Sequence, residues 1–149
     1  MGSKELDNLI RAALLKSEPA DQKEFDGLLD SGRKRLADAK KKGLAAESQF
    51  DLAYGAAHAF SLAAMRWHGY RPANKRYVVF QALEHTLGIR PEIWRVLDKC
   101  HANRNSLEYD GIFNVDNQLL NGLLKAAETV EEGVRKLGPI PTLAEKKNK

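Results

Sequence analysis

The stretch FDLAYGAAHAFSLAAMRWHGYRP, residues 50–72, decides the fold. Phe50, Ala53, Tyr54, Ala56, Ala57, Phe60, Ala63, Ala64 and Met65 recur at helical spacing and cover well over half of a helix circumference. A surface helix keeps a polar face, so a helix apolar this far round belongs among other helices. Its alanines are small enough to let those neighbours come close. Gly69 and Pro72 supply the stop. The spacing therefore predicts a central helix over about residues 47–68.

Working outward, the apolar spacing stays helical. A first helix is predicted over 4–16, with Leu6, Leu9, Ile10, Ala13 and Leu14 on one side. The segment SEPAD breaks it, and Pro19 is a natural start for a second helix carrying Phe25, Leu28, Leu29 and Leu36 up to the lysines before Gly43. Beyond the central helix come a fourth over 75–87 with Val79, Leu83 and Leu87, and a fifth opened by Pro91 and reaching residue 109. A sixth covers 115–137, with Val115, Leu119, Leu123, Val130, Val134 and Leu137 at helical spacing. No stretch shows sustained period-two alternation, and no repeat is visible. The expected architecture is all-α, an up-and-down helical bundle of four long helices plus shorter ones. Residues 1–137 form its single domain, and 138–149 read as a flexible basic tail.

The bulk composition agrees with one ordinary domain: 149 residues, 43% hydrophobic and 30% charged. A net charge of +4 permits contact with nucleic acid without requiring it. Lys40, Lys41 and Lys42, and the tail lysines 146, 147 and 149, read as solvated ends. The single cysteine, Cys100, excludes an internal disulfide and suits a reducing compartment. MGSKELDNLI lacks the apolar core of a signal peptide, and no run reaches a membrane span of about 18 residues. The expected location is cytoplasmic, with no membrane partner.

On the fifth helix Ile93, Val96, Leu97, Cys100 and Leu107 form one apolar stripe, and Arg104 falls near its centre. Burying an unpaired guanidinium is costly, so Arg104 should meet an acid, a cleft or a second subunit. His101 and Glu108 flank it on the same side, Asn105 follows it, and Tyr109 stands where the helix ends. Arginine suits phosphate because its planar fork donates two hydrogen bonds at once, and histidine moves protons near neutral pH. The connector GYRPANKR gathers Arg71, Lys75 and Arg76 into the best basic patch, a candidate substrate-binding surface. His58, His68, His85 and His101 lack the spacing of a metal site, and no glycine-rich phosphate loop is present. No metal and no cofactor are expected. Cys100, on the apolar stripe, reads as a buried structural thiol.

The central stretch, then FQALEHTLGI, then RNSLEYDG near the end of the next long helix resemble HEPN-domain proteins. The likeness is to the bacterial subgroup whose last signature reads R-N-x-x-x-Y-x-G, and it covers about residues 33–134. This resemblance implies a bundle that forms a homodimer, with the arginine-bearing helix ends of two subunits meeting in one cleft. Many proteins of the family are metal-independent ribonucleases of toxin–antitoxin and defence systems, often paired with a nucleotidyltransferase-type antitoxin. Their signature is R-x(4–6)-H with a polar residue after the arginine, which Arg104 and Asn105 match. The histidine is replaced: Tyr109 stands five residues after Arg104, and no histidine follows Arg104. A phenol with its ordinary pKa near 10 is a poor base at neutral pH but hydrogen-bonds a phosphate well. His101, one turn earlier, is the candidate substitute. The resemblance thus implies binding of RNA, a nucleotide or a protein partner around Arg104, with Arg104, Asn105, Tyr109 and His101 as the candidate catalytic set. An active ribonuclease toxin is the first alternative. The second is a non-enzymatic helical adaptor in which Arg104 pairs with an acid such as Asp51 or Asp110.

Overall fold

The helix over the opening stretch is the axis of the molecule. In the computed structural model, which describes residues 3–110 and 116–141 and the side chains of 4–105 and 116–141, it runs from Ala46 to Trp67 (α3). Phe50, Ala53, Ala56, Ala57, Phe60, Ala63, Ala64 and Met65 are almost completely buried along it. Its largest interfaces are with α2 (Gln22–Ala39) and α7 (Asn117–Leu137). A fourth long helix, α6 (Pro91–Asp110), packs mainly on α7 and contributes the fully buried Leu97 and Cys100. The expected all-α bundle with four long helices is the observed one.

Close approach explains why α2 and α3 pair so intimately. Gly32 on α2 lies against the Phe60 ring, and a Cβ there would stand 2.5 Å from Phe60 Cε1. The starts of α2 and α7 have side-chain caps: Asp21 accepts from the Lys23 N–H, and Asp116 from the Gln118 N–H.

Three local expectations are corrected. The first helix, α1, covers only Ser3–Arg11, because Ala13 adopts a left-handed φ of 62° that a helix cannot continue through. The chain instead forms β1 (Leu15–Ser17), which pairs antiparallel with β2 (Tyr70–Pro72), Lys16 opposite Arg71. Three-residue strands are too short to show an alternation in sequence. The second helix starts at the Asp21 cap rather than at Pro19, whose carbonyl accepts from Arg66 Nη2. The predicted helix over 75–87 is two single turns, α4 (Val78–Gln81) and α5 (Leu83–Thr86), joined at Ala82.

Past α7, the Gly138 carbonyl accepts from Trp67 Nε1 and the Ile140 N–H donates to Gln22 Oε1, so the beginning of the expected tail lies against the bundle. Residues 142–149 of that tail, and Val115, lie outside the described residues. Among the described residues no helix is long and apolar enough to cross a membrane.

Candidate functional site

Helical periodicity assembles a polar cavity on the flank of the bundle. On α3, Asp51, Tyr54, Gly55 and His58 are spaced i, i+3, i+4, i+7 and so share one face. On α2, Leu28, Ser31 and Arg35 do the same, and on α6 His101 and Arg104 sit one turn apart. With Arg76, from the segment entering α4, these residues line a cavity of about 320 Å³. Among the described residues three arginines face it against one carboxylate.

Arg104, Arg35 and Tyr54 each have an identifiable support. Arg104 Nε donates to Asp51 Oδ1 at 3.1 Å, and its guanidinium lies over the Tyr54 ring, 5.1 Å from the centroid. Arg35 reaches across α3 because residue 55 is glycine: a Cβ there would come within 2.8 Å of Arg35 Nη1. Tyr54 is buried, meets the edge of Phe80 with centroids 5.7 Å apart, and places its hydroxyl 2.9 Å from His101 Nδ1. Burial pushes the Tyr54 phenol up to about 12, with Arg104 and Arg76 opposing, so it stays neutral.

His101 lies between the rings of Tyr54 and Tyr77, at centroid distances of 6.3 and 4.9 Å. Asn105 Nδ2 donates to its Nε2 at 3.2 Å, which puts the imidazole proton on Nδ1, donating to the Tyr54 oxygen. Burial, helped by Arg104 and opposed by Asp98, lowers its pKa below the ordinary value. His58 is only 9% exposed and packs edge-on to Phe80. Burial and then the charge of Arg76 lower it to about 4, and its Nε2 has no hydrogen-bond partner among the described residues.

At neutral pH the cavity therefore presents arginine donors and uncharged rings. That combination suits an anion whose charge is spread over several oxygens. Among the described residues no group of three His, Cys, Asp or Glu side chains is placed to hold a metal ion.

Of the residues singled out in the sequence, His101, Arg104 and Asn105 come together here, and Arg76 joins them from the basic connector. Arg71 does not: it is bound by Glu18 and Glu24 beside the strand pair. Lys75 lies with Nζ 6.0 Å from the Tyr77 ring centroid, outside the cavity lining. Tyr109 is on α6, but its side chain is outside the described residues. Sequence reasoning missed Arg35, Tyr54 and His58 as site residues. The i, i+3, i+7 run of Asp51, Tyr54 and His58 through an otherwise apolar helix is the signal that could have found two of them. Arg35 joins only through the packing of α2 on α3, which no local pattern encodes. Comparison with known proteins adds no relative: no family model matches the chain, and no curated protein or solved structure matches it significantly.

Proposed function

We propose that this chain is a cytoplasmic HEPN-like protein, of toxin–antitoxin or defence type, that binds RNA or a nucleotide through its phosphate at Arg104. The observation that carries this reading is the convergence of Arg35, Arg76 and Arg104 on one cavity, with Asp51 the carboxylate among its described lining residues. Guanidinium forks bind phosphate oxygens bidentately. The cavity size is at the lower end of small-ligand pockets, about 300–1,000 Å³.

The cleft is proposed to be shared by two copies, so light scattering should give a dimer at tens of micromolar. Fluorescence anisotropy with a labelled single-stranded RNA tests the binding. Arg104→Ala should weaken it at least about tenfold, as the loss of a charge-assisted contact implies, while Lys125→Ala, on exposed α7 surface, should leave it unchanged. Equal binding by both variants would remove Arg104 from the site.

A ribonuclease reading is favoured by one specific feature, the hydrogen-bonded Tyr54–His101–Asn105 series beside Arg104. His101 is the proton carrier in that reading, and in this arrangement both its nitrogens are engaged. Turning the Asn105 amide over would let Nε2 take up a proton. Growth arrest on expression, relieved by Arg104→Ala and by co-expression of a nucleotidyltransferase-type antitoxin, is its expected signature. Unchanged growth with no cleavage of total RNA by purified protein would leave binding alone.

A further inference from the structure

The three arginines of the cavity are not equivalent. Arg104 is answered by Asp51, Nε to Oδ1 at 3.1 Å. Arg35, from α2, and Arg76, from the segment entering α4, line the same space, and among the described residues neither has a carboxylate at ion-pair distance. The fold places Arg35 through Gly55: a Cβ at that position would stand 3.4 Å from Arg35 Cδ and 2.8 Å from its Nη1. Both residues are solvent-exposed, so an incoming anion reaches them without any movement of the core.

The rest of the polar lining adds no charge. Ser31 and the Tyr54 phenol are neutral, and burial lowers His58 and His101 below the ordinary histidine value. Two guanidinium charges, those of Arg35 and Arg76, are therefore left without a counter-charge on the described lining. An internal phosphodiester brings one negative charge and two oxygens free of carbon. A phosphate monoester brings nearly two charges above neutral pH and three such oxygens. Two planar forks arriving from different elements can each engage the monoester, while the diester leaves one of them unanswered. A unit charge at ion-pair distance in a water-exposed site is worth about a factor of 5, and more where the wall is apolar.

We propose that the cavity is a site for a phosphate monoester, a terminal phosphate and not the internal linkage of a strand, with Arg35 and Arg76 reading its second charge. A free mononucleotide and the phosphorylated end of an RNA share that chemistry. The inference rests on the phosphate reading above and adds to it the class of phosphate.

Calorimetry on the full chain tests it with 5′-AMP and 3′-AMP against 3′,5′-cyclic AMP, the diester of both, which carries the same base and sugar and a single charge. At pH 8 the tighter monoester should bind roughly 5- to 30-fold more strongly than the diester. That ratio should shrink as the pH is lowered to 5, because the monoester loses its second charge at about pH 6 and the diester keeps its one. Titration of Asp51, His58 or His101 acts on both kinds of ligand. Arg35→Gln and Arg76→Gln should each weaken the monoester more than the diester and bring the ratio toward one. Arg35→Lys, which keeps the charge, should retain most of it. A wild-type ratio near one at pH 8, or one that does not change with pH, overturns this inference and leaves the phosphate reading intact. Binding of no ligand, with Arg104→Ala also silent toward RNA, sinks both. A short RNA with a terminal phosphate that binds much more tightly than the mononucleotide and than its hydroxyl-ended twin assigns the source to strand ends. Equal binding of the phosphorylated strand and the mononucleotide assigns it to the free nucleotide. A hydroxyl-ended strand as tight as its phosphorylated twin overturns the inference as well.

Discussion

Arg104 and Asp51 form an ion pair across α6 and α3, Nε to Oδ1 at 3.1 Å, with side chains 37% and 62% exposed. An exposed pair of this kind contributes about 0.2–1 kcal/mol. Asp51 therefore holds the guanidinium at the cavity without locking it there, and it competes with any phosphate for the same donors. Replacing it by asparagine removes one competitor, the carboxylate among the described lining residues. Asp51→Asn should tighten RNA or nucleotide binding by roughly 2- to 10-fold at low salt and change stability by less than about 1 kcal/mol. Anisotropy and urea unfolding measure the two quantities. Weaker binding by the variant would mean that Asp51 positions Arg104 for the ligand instead.

The contact of Gly32 with Phe60 makes a paired prediction. A methyl group at residue 32 would lie 2.5–2.9 Å from three ring atoms of a fully buried phenylalanine, which has nowhere to go. Gly32→Ala should destabilise by about 1–3 kcal/mol through overpacking. Gly27, on the same helix, has nothing within 4 Å of a Cβ. Gly27→Ala should stabilise by about 0.5–1 kcal/mol through helix propensity. Opposite signs for the same chemical change on one helix, read by denaturant midpoints, isolate packing from propensity.

What could be read in the sequence depended on whether a local pattern carried it. The all-round apolar spacing of residues 50–65 placed α3 at the centre, because burial on every side leaves no polar face to encode. Arg104 was visible as a polar interruption of an apolar stripe, and the prediction that it needs an acid or a cleft is met by both Asp51 and the cavity. Arg35 and the Gly32–Phe60 contact depend on which helices touch, a relation between residues far apart in the chain. Arg66 was hidden for a different reason: an arginine two residues from a helix end reads as solvated, yet it is 1% exposed. The strand pair escaped because it is short and owes its existence to the left-handed Ala13 and the turn at Gly69.

Cys100 tests the packing of α6. It is fully buried, and burial pushes its thiol up to about 12, slightly offset by Lys99. The thiolate is the reactive species, so native protein at pH 8 should react with Ellman's reagent only as fast as α6 opens. One thiol per chain should titrate promptly after unfolding in guanidinium chloride. Prompt reaction without denaturant would show that α6 is not packed as described.

Arg66 carries the strongest stability prediction. Its Nε donates to Glu24 Oε1 at 2.6 Å, Nη1 to the carbonyls of Glu18 and Tyr70, and Nη2 to that of Pro19. One guanidinium thus ties α3 to the loop before α2 and to β2, and Arg71 binds the same Glu18 and Glu24 from β2. Arg66→Met takes one of the two guanidinium partners from the Glu24 carboxylate and leaves three carbonyls without their donor, and should cost about 3–5 kcal/mol. Arg66→Lys should recover little of it, because an ammonium cannot reproduce the fork. The pH dependence has a definite sign. Arg71 lowers the Glu18 carboxyl by hydrogen bonding; burial raises that of Glu24, but hydrogen bonds from Arg71 and Arg66 outweigh it and leave it below the ordinary 4.5. Depressed carboxyls stabilise the fold fully above their unfolded value, and that contribution is lost as the pH falls through the folded one. Urea unfolding from pH 7 down to pH 3 should therefore show stability falling below about pH 4.5. Glu24→Gln should start less stable at pH 7 and lose less across the acid range. An identical acid slope in the variant would place the titrating group elsewhere.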